Sequence, residues 1–457
     1  MNRLLMLPLL GYALVAGAEE APSPALEPTD AGTWDAPPIL TATPDAGKPL
    51  AVVDDEAAEG SFTVRRSATP SEAAAAAVRP TMDSFAEQST SEFKLGQLRA
   101  RYSLNVFGDL GARIDSLKPE HPSFFLGNVD LLLGFHLEQG FSGVAELKFG
   151  VNTGNAQGTT PLGSIDLERF ALRWENDFLF VELGREHSEV GYWNNAYHHG
   201  IWLQPTYARP RWIGFSETGL VPVHRIGLLG GVKAQVGPGQ LRVSLSINNS
   251  RGLTRSDVRN RSDLLDLKMV FASVEYLGLF ARELRVGLSG ILDQIPAAAV
   301  AVRKNLPDVP IDEAIGSFYL AYVGAVVLVD LETFYVRHSH ADQVWQNYGG
   351  FVVVSVNWRN LSPYAMVERI WHDGPGPSPF FVPVPATATG LETLTADNMS
   401  ALSTDNLSVS LGLRYDFTTW TALKLEYRFT RFYDLRDTSG PGGKRVHEVT
   451  LSWNFGL

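Results

Sequence analysis

From Phe93 to the C-terminus the chain alternates apolar and polar residues with a period of two. In the stretch from Gln97 to Val106, Leu98, Ala100, Tyr102, Leu104 and Val106 fall on one face, opposite Gln97, Arg99, Arg101, Ser103 and Asn105. Near the other end, Val449, Leu451, Trp453 and Phe455 oppose Glu448, Thr450, Ser452 and Asn454. Alternation of this kind is a β-strand with one oily and one wet face. The same test marks 16 segments, among them 94–107, 326–337, 348–358, 361–371 and 445–455, most of them 9 to 13 residues long. A tilted strand needs roughly 9–11 residues to cross a bilayer.

The connections decide which face is outside. Short ones, such as Glu138-Gln139-Gly140, Gly237-Pro238-Gly239, Arg359-Asn360 and Thr418-Thr419, alternate with long ones, which follow every odd-numbered segment, the eleventh (326–337) included. Aromatic residues cluster near strand ends, as in Trp174 and Phe178, Tyr276 and Phe280, Phe417 and Trp420. An even strand number, two unlike rims and aromatic ends predict an all-β fold, a closed antiparallel transmembrane barrel whose closure leaves no edge for lipid to satisfy. The oily face then points outward and the wet face lines the lumen.

Composition refines this in three ways. The absence of Cys excludes disulfides, thiolate metal sites and cysteine nucleophiles. Arg3, the apolar run from Leu4 to Val15 and the small residues Ala16-Gly17-Ala18 read as a signal peptide over 1–18. Residues 19–90, rich in Ala, Pro, Thr, Asp and Glu, read as a disordered linker, which leaves 91–457 as the barrel. The apolar run from Leu320 to Val329 is too short for a spanning helix.

Residues 186–222, after the fifth segment, break the alternation. They carry Pro205, Pro210 and Pro222 with three Trp, three Tyr, three His and two Arg. A connection this long inside a compact protein is functional or disordered. Its aromatic content argues for order, and the expectation is that it folds inward and lines a pore.

The strand count, the alternation of loops and the position of this long loop resemble the 16-stranded Gram-negative porins, and more loosely the phosphate- or carbohydrate-selective porins, with further similarity around Gly184-Arg185, Gly191-Tyr192 and Arg209-Pro210. The ending Trp453-Asn454-Phe455-Gly456-Leu457 resembles a C-terminal outer-membrane assembly signal, with its aromatic two residues short of the end. The resemblance implies a bacterial outer-membrane location in contact with lipid and lipopolysaccharide, insertion by the barrel assembly machinery, a homotrimer, and passage of small hydrophilic solutes. Both barrel ends fall on the short-turn rim, so the linker would hang in the periplasm. Neither a cofactor nor a nucleic-acid partner is expected.

Candidate chemistry divides between two solute classes. Arg209 and Arg211, with Pro210 stiffening the backbone between them, offer guanidinium forks for a phosphate or carboxylate. Arg99, Arg101, Arg169 and Arg173, assigned to the inner wall, would complete an anion-selective constriction. On this assignment inward cations outnumber inward carboxylates, making the wall mildly basic. Alternatively Tyr192 and Trp193 stack on sugar rings while Asn194, Asn195 and Gln204 meet hydroxyls, with His198 a further candidate at the constriction and Trp202 and Trp212 forming the loop's own core. A third possibility is a structural or adhesive barrel whose loops plug the lumen. His187, Ser188 and Glu189 hold the residue types of a hydrolase triad, and His187, Glu189, His198 and His199 those of a metal site. Adjacent residues in extended chain point apart, and no spaced metal motif is present, so neither catalysis nor a metal is expected.

Overall fold

The computed structural model describes residues 90–95, 98–116, 122–150, 164–198, 201–214, 219–251, 268–295, 310–374, 405–433 and 445–457. The signal peptide and, apart from Thr90, the linker lie outside the described residues.

A short strand β1 (Thr90–Leu95) is followed by β2 (Leu98–Asp115), β3 (Ser123–Leu137), β4 (Phe141–Gly150), β5 (Ser164–Glu175) and β6 (Leu179–His187). After the long loop and its single turn of helix, α1 (Tyr192–Tyr197), come β7 (His224–Val236), β8 (Gly239–Asn248), β9 (Met269–Leu277) and β10 (Leu284–Ile295). The chain ends with β11 (Ile311–Val323), β12 (Val327–His340), β13 (Gln343–Val356), β14 (Leu361–Asp373), β15 (Asn406–Thr418), β16 (Thr421–Phe432) and β17 (Arg445–Gly456). Each of β2 to β17 pairs antiparallel with its sequence neighbours, and β17 pairs with β2, so 16 strands close a barrel. β1 is an addition. β2 runs past the C-terminus of β17, and β1 folds back on the overhang, Thr90 opposite Ser103 and Leu95 opposite Leu98.

The wall is inverted relative to a soluble protein. On β17, Val449, Leu451 and Trp453 are 44%, 44% and 51% exposed, whereas Thr450, Ser452 and Asn454 are 1%, 0% and 0%. Outward aromatics gather toward both rims, Phe178, Phe280, Phe417 and Trp420 at the short turns, with Tyr348 stacked on Trp371 (centroids 5.7 Å apart) toward the other rim. This is the girdle that an interface favours.

The wall departs from the expectation at several points, the first strand among them, which runs Leu98–Asp115 instead of 94–107. The long loop expected after 326–337 is a two-residue turn at Ala341-Asp342, because β12 and β13 each continue to the rim, with His338 opposite Trp345 and His340 opposite Gln343. Their inward side chains are buried, so a polar run that reads as loop is lumen wall. On β14, Arg369, expected to face the lumen, points outward with Trp371 and Tyr433 (5.0 and 4.2 Å from their ring centres), and Glu368 takes the inner face. A bulge at Glu146/Leu147 also sets Glu168 between the register pairs Glu146–Arg169 and Leu147–Leu167 and buries it beside Arg169. Among the described residues the buried charges are then Asp109, Asp130, Glu146, Glu168, Glu182, Asp293, Glu313, Asp330, Glu332, Glu368 and Glu426 against Arg169, Arg225, Arg251, Arg414 and Lys424. The fully enclosed charges are thus mostly acidic, while inward cations such as Lys148, Arg173, Arg242 and Arg428 are part-buried against carboxylates.

Candidate functional site

The 188–223 segment leaves and rejoins the wall at one point: Ser188 N–H donates to the Val223 carbonyl oxygen. Between those ends it is held by inward groups of distant strands. The Glu332 carboxylate of β12 accepts Trp193 N–H at the start of α1. Glu368 of β14 accepts Arg211 N–H at 2.5 Å and Trp212 N–H at 3.3 Å. Glu426 of β16 accepts Tyr207 N–H at 2.9 Å and Ala208 N–H at 3.1 Å. Lys424 Nζ donates to the carbonyls of Ile201, Gln204 (2.8 Å) and Thr206 (2.9 Å), and Arg414 Nη1 to those of Trp202 and Gln204. An irregular backbone that forms no ladder needs partners of this kind wherever water is excluded. Inward carboxylates thus supply acceptors for loop N–H groups, and inward cations supply donors for loop carbonyls.

The loop's aromatic residues pack rather than project. Trp193 and Trp212 are fully buried and Tyr192 and Trp202 nearly so. Trp193 meets Tyr197 and Phe351 edge-on at 5.1 and 5.8 Å, Tyr192 lies 5.9 Å from Tyr319, and Trp212 stacks on Phe334 at 5.3 Å. Burial pushes the Tyr192 hydroxyl up to about 12, the Arg285 guanidinium opposing it. Asn194 braces the base of the loop, donating to the Ser188 and Val223 carbonyls at 2.8 and 2.9 Å, while Asn195 is exposed and bonded to the Gly191 carbonyl.

Beside this plug lies a cavity of about 400 Å³. Its lining includes Arg209, Pro210 and Arg211 of the loop, with Arg113, Lys148 and Arg428 from the wall, and against these five cations the carboxylates Asp109, Asp130, Glu168 and Glu448. His198, Gln204 and Tyr207 also border it, whereas Tyr192, Trp193, Asn194 and Asn195 do not. Arg209 donates to the His198 carbonyl, and Arg211 reaches Thr430 Oγ1 at 3.2 Å with its guanidinium over Phe432. Burial pulls both guanidiniums down to about 9, Arg428 adding to the effect at Arg211, and both are cations at neutral pH.

The wall arginines named from sequence are elsewhere. Arg169 is bound to Glu146 at 2.7 Å and Glu186 at 3.3 Å, and Arg173 to Glu175 and Glu182 at 2.7 and 3.3 Å; neither borders the cavity. Arg101 is exposed at the short-turn end of β2, and the Arg99 side chain lies outside the described residues. β2 instead contributes Asp109 and Arg113, which keep the inward parity of Ser103 and Asn105 but lie beyond residue 107, where the expected strand ends and the apolar Phe107 takes an inward position. Ser188 Oγ donates to the Pro222 carbonyl, and Glu189 is taken by Arg242 (2.7 Å) and the Ser244 and Ser273 hydroxyls, so the three residues of the supposed triad form no relay. Burial acts to raise Glu189, but Arg242 and the hydroxyls outweigh it and hold the carboxyl below its usual range. His198 lies with His187 and His224, ring centres 4.2 and 4.6 Å away; His199 falls outside the described residues.

No protein-family model matches the chain, and no curated protein does. Among solved structures, the outer membrane channel DcaP of Acinetobacter baumannii is similar with a TM-score of 0.53 at 12% identity, over 81% of this chain and 100% of that one. The anion-selective porin from Comamonas acidovorans gives 0.49 at 12% identity over 78% and 100%. OmpT of Vibrio cholerae, an outer-membrane protein, gives 0.46 at 10% identity over 80% and 100%. The chain has the fold of the bacterial outer-membrane channel DcaP.

Proposed function

We propose that the protein is an outer-membrane channel that admits small hydrophilic solutes, with a preference for anions set at the cavity beside Arg209-Pro210-Arg211. One observation carries this reading: of the residues that offered two solute classes, the arginines border the cavity, and the rings suited to sugar are enclosed. Two guanidiniums on a rigid backbone, joined by Arg113, Lys148 and Arg428, make a local cationic margin at the cavity. Cations clustered at a narrow point favour entry of anions, and the fork of Arg suits a phosphate or carboxylate. The opposing Asp130 and Glu168 keep that preference mild.

The test is conductance in a planar bilayer with a salt gradient. Stable channels are expected, with a reversal potential on the anion side. Arg209→Ala with Arg211→Ala should move it toward the cation side, and the double Lys variant should retain most of the preference because it keeps the charge. A reversal potential indifferent to the Ala pair would make the two arginines braces of the loop. Silent membranes would favour a plugged structural barrel.

A further inference from the structure

We propose that His187, His198 and His224 form a binding site for a divalent transition-metal ion of the zinc class. The three residues come from three parts of the chain: the end of β6, the residue after α1, and the start of β7. They meet because β6 and β7 pair with His187 opposite His224, and because the loop turns back at that same point and lays His198 over both. One side-chain nitrogen from each lies within 4.8 Å of the others, and the rings are 6%, 1% and 1% exposed.

Imidazole nitrogen is a standard ligand for zinc, and three of them with a fourth position left open is a known zinc arrangement. In tetrahedral coordination at 2.0–2.1 Å, neighbouring nitrogens stand about 3.3 Å apart. The separations here, none above 4.8 Å, are ones that small side-chain rotations bring to that value. The supporting shell is also in place. Asn194 Oδ1 meets His198 Nδ1 at 2.7 Å, which fixes the ring and directs Nε2 as the ligand atom, and Asn194 is itself tied to the backbone on both sides of the loop base. An acceptor on the second nitrogen is what metal-bound imidazoles usually have.

Charge and access agree. Glu168 Oε2 is 3.5 Å from His224 Nε2 and Glu186 Oε1 is 3.7 Å from His187 Nδ1, so two carboxylates offset an added dication against the nearby Arg209 and Arg169. His198 and Glu168 both border the cavity, which gives an ion a way in and leaves Glu168 or a small anion to complete the sphere. The sequence offers His187 and His198 as metal ligands but no motif spacing that joins them to His224; only closure of the loop brings the three together.

The experiment uses the untagged full chain folded in detergent, stripped with a chelator, and titrated with zinc calorimetrically and with cobalt(II) spectroscopically. About one ion per chain is expected. His198→Ala should abolish binding, Asn194→Ala should weaken it by about 10- to 100-fold, and His447→Ala, on the outer surface, should leave it unchanged. X-ray absorption of the zinc-loaded wild type should show three imidazoles, a measurement that needs no variant to fold. Failure of the folded wild type to take up zinc would overturn the proposal, as would a zinc shell with fewer than two imidazoles or a His198→Ala variant that binds like the wild type.

Discussion

Arg169 shows what one buried charge does in this wall. Its partner Glu146 is wholly enclosed, so truncating the arginine strands a carboxylate away from water. Breaking a buried pair from one side costs about 3–5 kcal/mol. Arg169→Ala should therefore lower the urea midpoint of the refolded barrel markedly, and Glu146→Gln combined with Arg169→Met should recover much of the loss. If the single and double variants unfold together, the pair does not act as a unit. Lys424 is a second such point. Lys424→Met removes the donor shared by the carbonyls of Ile201, Gln204 and Thr206, at roughly 1–3 kcal/mol for each acceptor left bare. Faster proteolysis within the loop, with an unchanged heat-modifiable band on a gel, is the expected sign. At this scale the sequence was half legible. Period-two alternation put Arg169, Lys424 and Glu426 on the inner face, but their partners lie in other strands or in the loop, and alternation says nothing about those. Nor can it separate a ring that faces a pore from one that packs, which is why Tyr192 and Trp193 looked like contacts for solute.

Among the elements, α1 depends most on a single position. Gly191, just before it, has a φ of +72°, and a Cβ there would collide with the Glu332 carboxylate that receives the helix's first N–H groups. Gly191→Ala combines backbone strain of about 1–3 kcal/mol with displacement of that carboxylate. The expected result is a loop undocked at its first anchor, read as higher and noisier single-channel conductance with the barrel intact; a current trace like the wild type's would mean that Glu332 is dispensable. Strand number and the two unlike rims were readable because lipid on one side enforces alternation. Ends were less so. His338, His340, Trp345 and Asn347 face a wet interior, and nothing in their composition distinguishes such a wall from a loop. The bulge at Glu146/Leu147 also shifts parity along β5 without a local signature, which is how Glu168 escaped notice, while Asp109 and Arg113 lie in the stretch of β2 beyond the expected end at residue 107.

For the whole molecule, closure runs through β17 and β2, and among the described residues β1 pairs with the overhang of β2 alone. A chain beginning at Leu98 should refold in detergent to the same heat-modifiable species; failure to do so would give β1 a part in registering the seam. The hydrogen bonds of the 188–223 segment have a further consequence. Its anchors on β12, β14 and β16 lie 139 to 223 residues later in the chain. None of them exists on the inner surface until those strands have joined the wall. Contacts this distant in sequence form slowly. Tied only at its base and to β8 and β9, the segment must wait for these anchors while the later strands add, and then be enclosed as the cylinder shuts. Maturation should accordingly have two kinetic stages, strand closure followed by burial of Trp193 and Trp212, with the tryptophan fluorescence change trailing the gain of β-sheet circular dichroism.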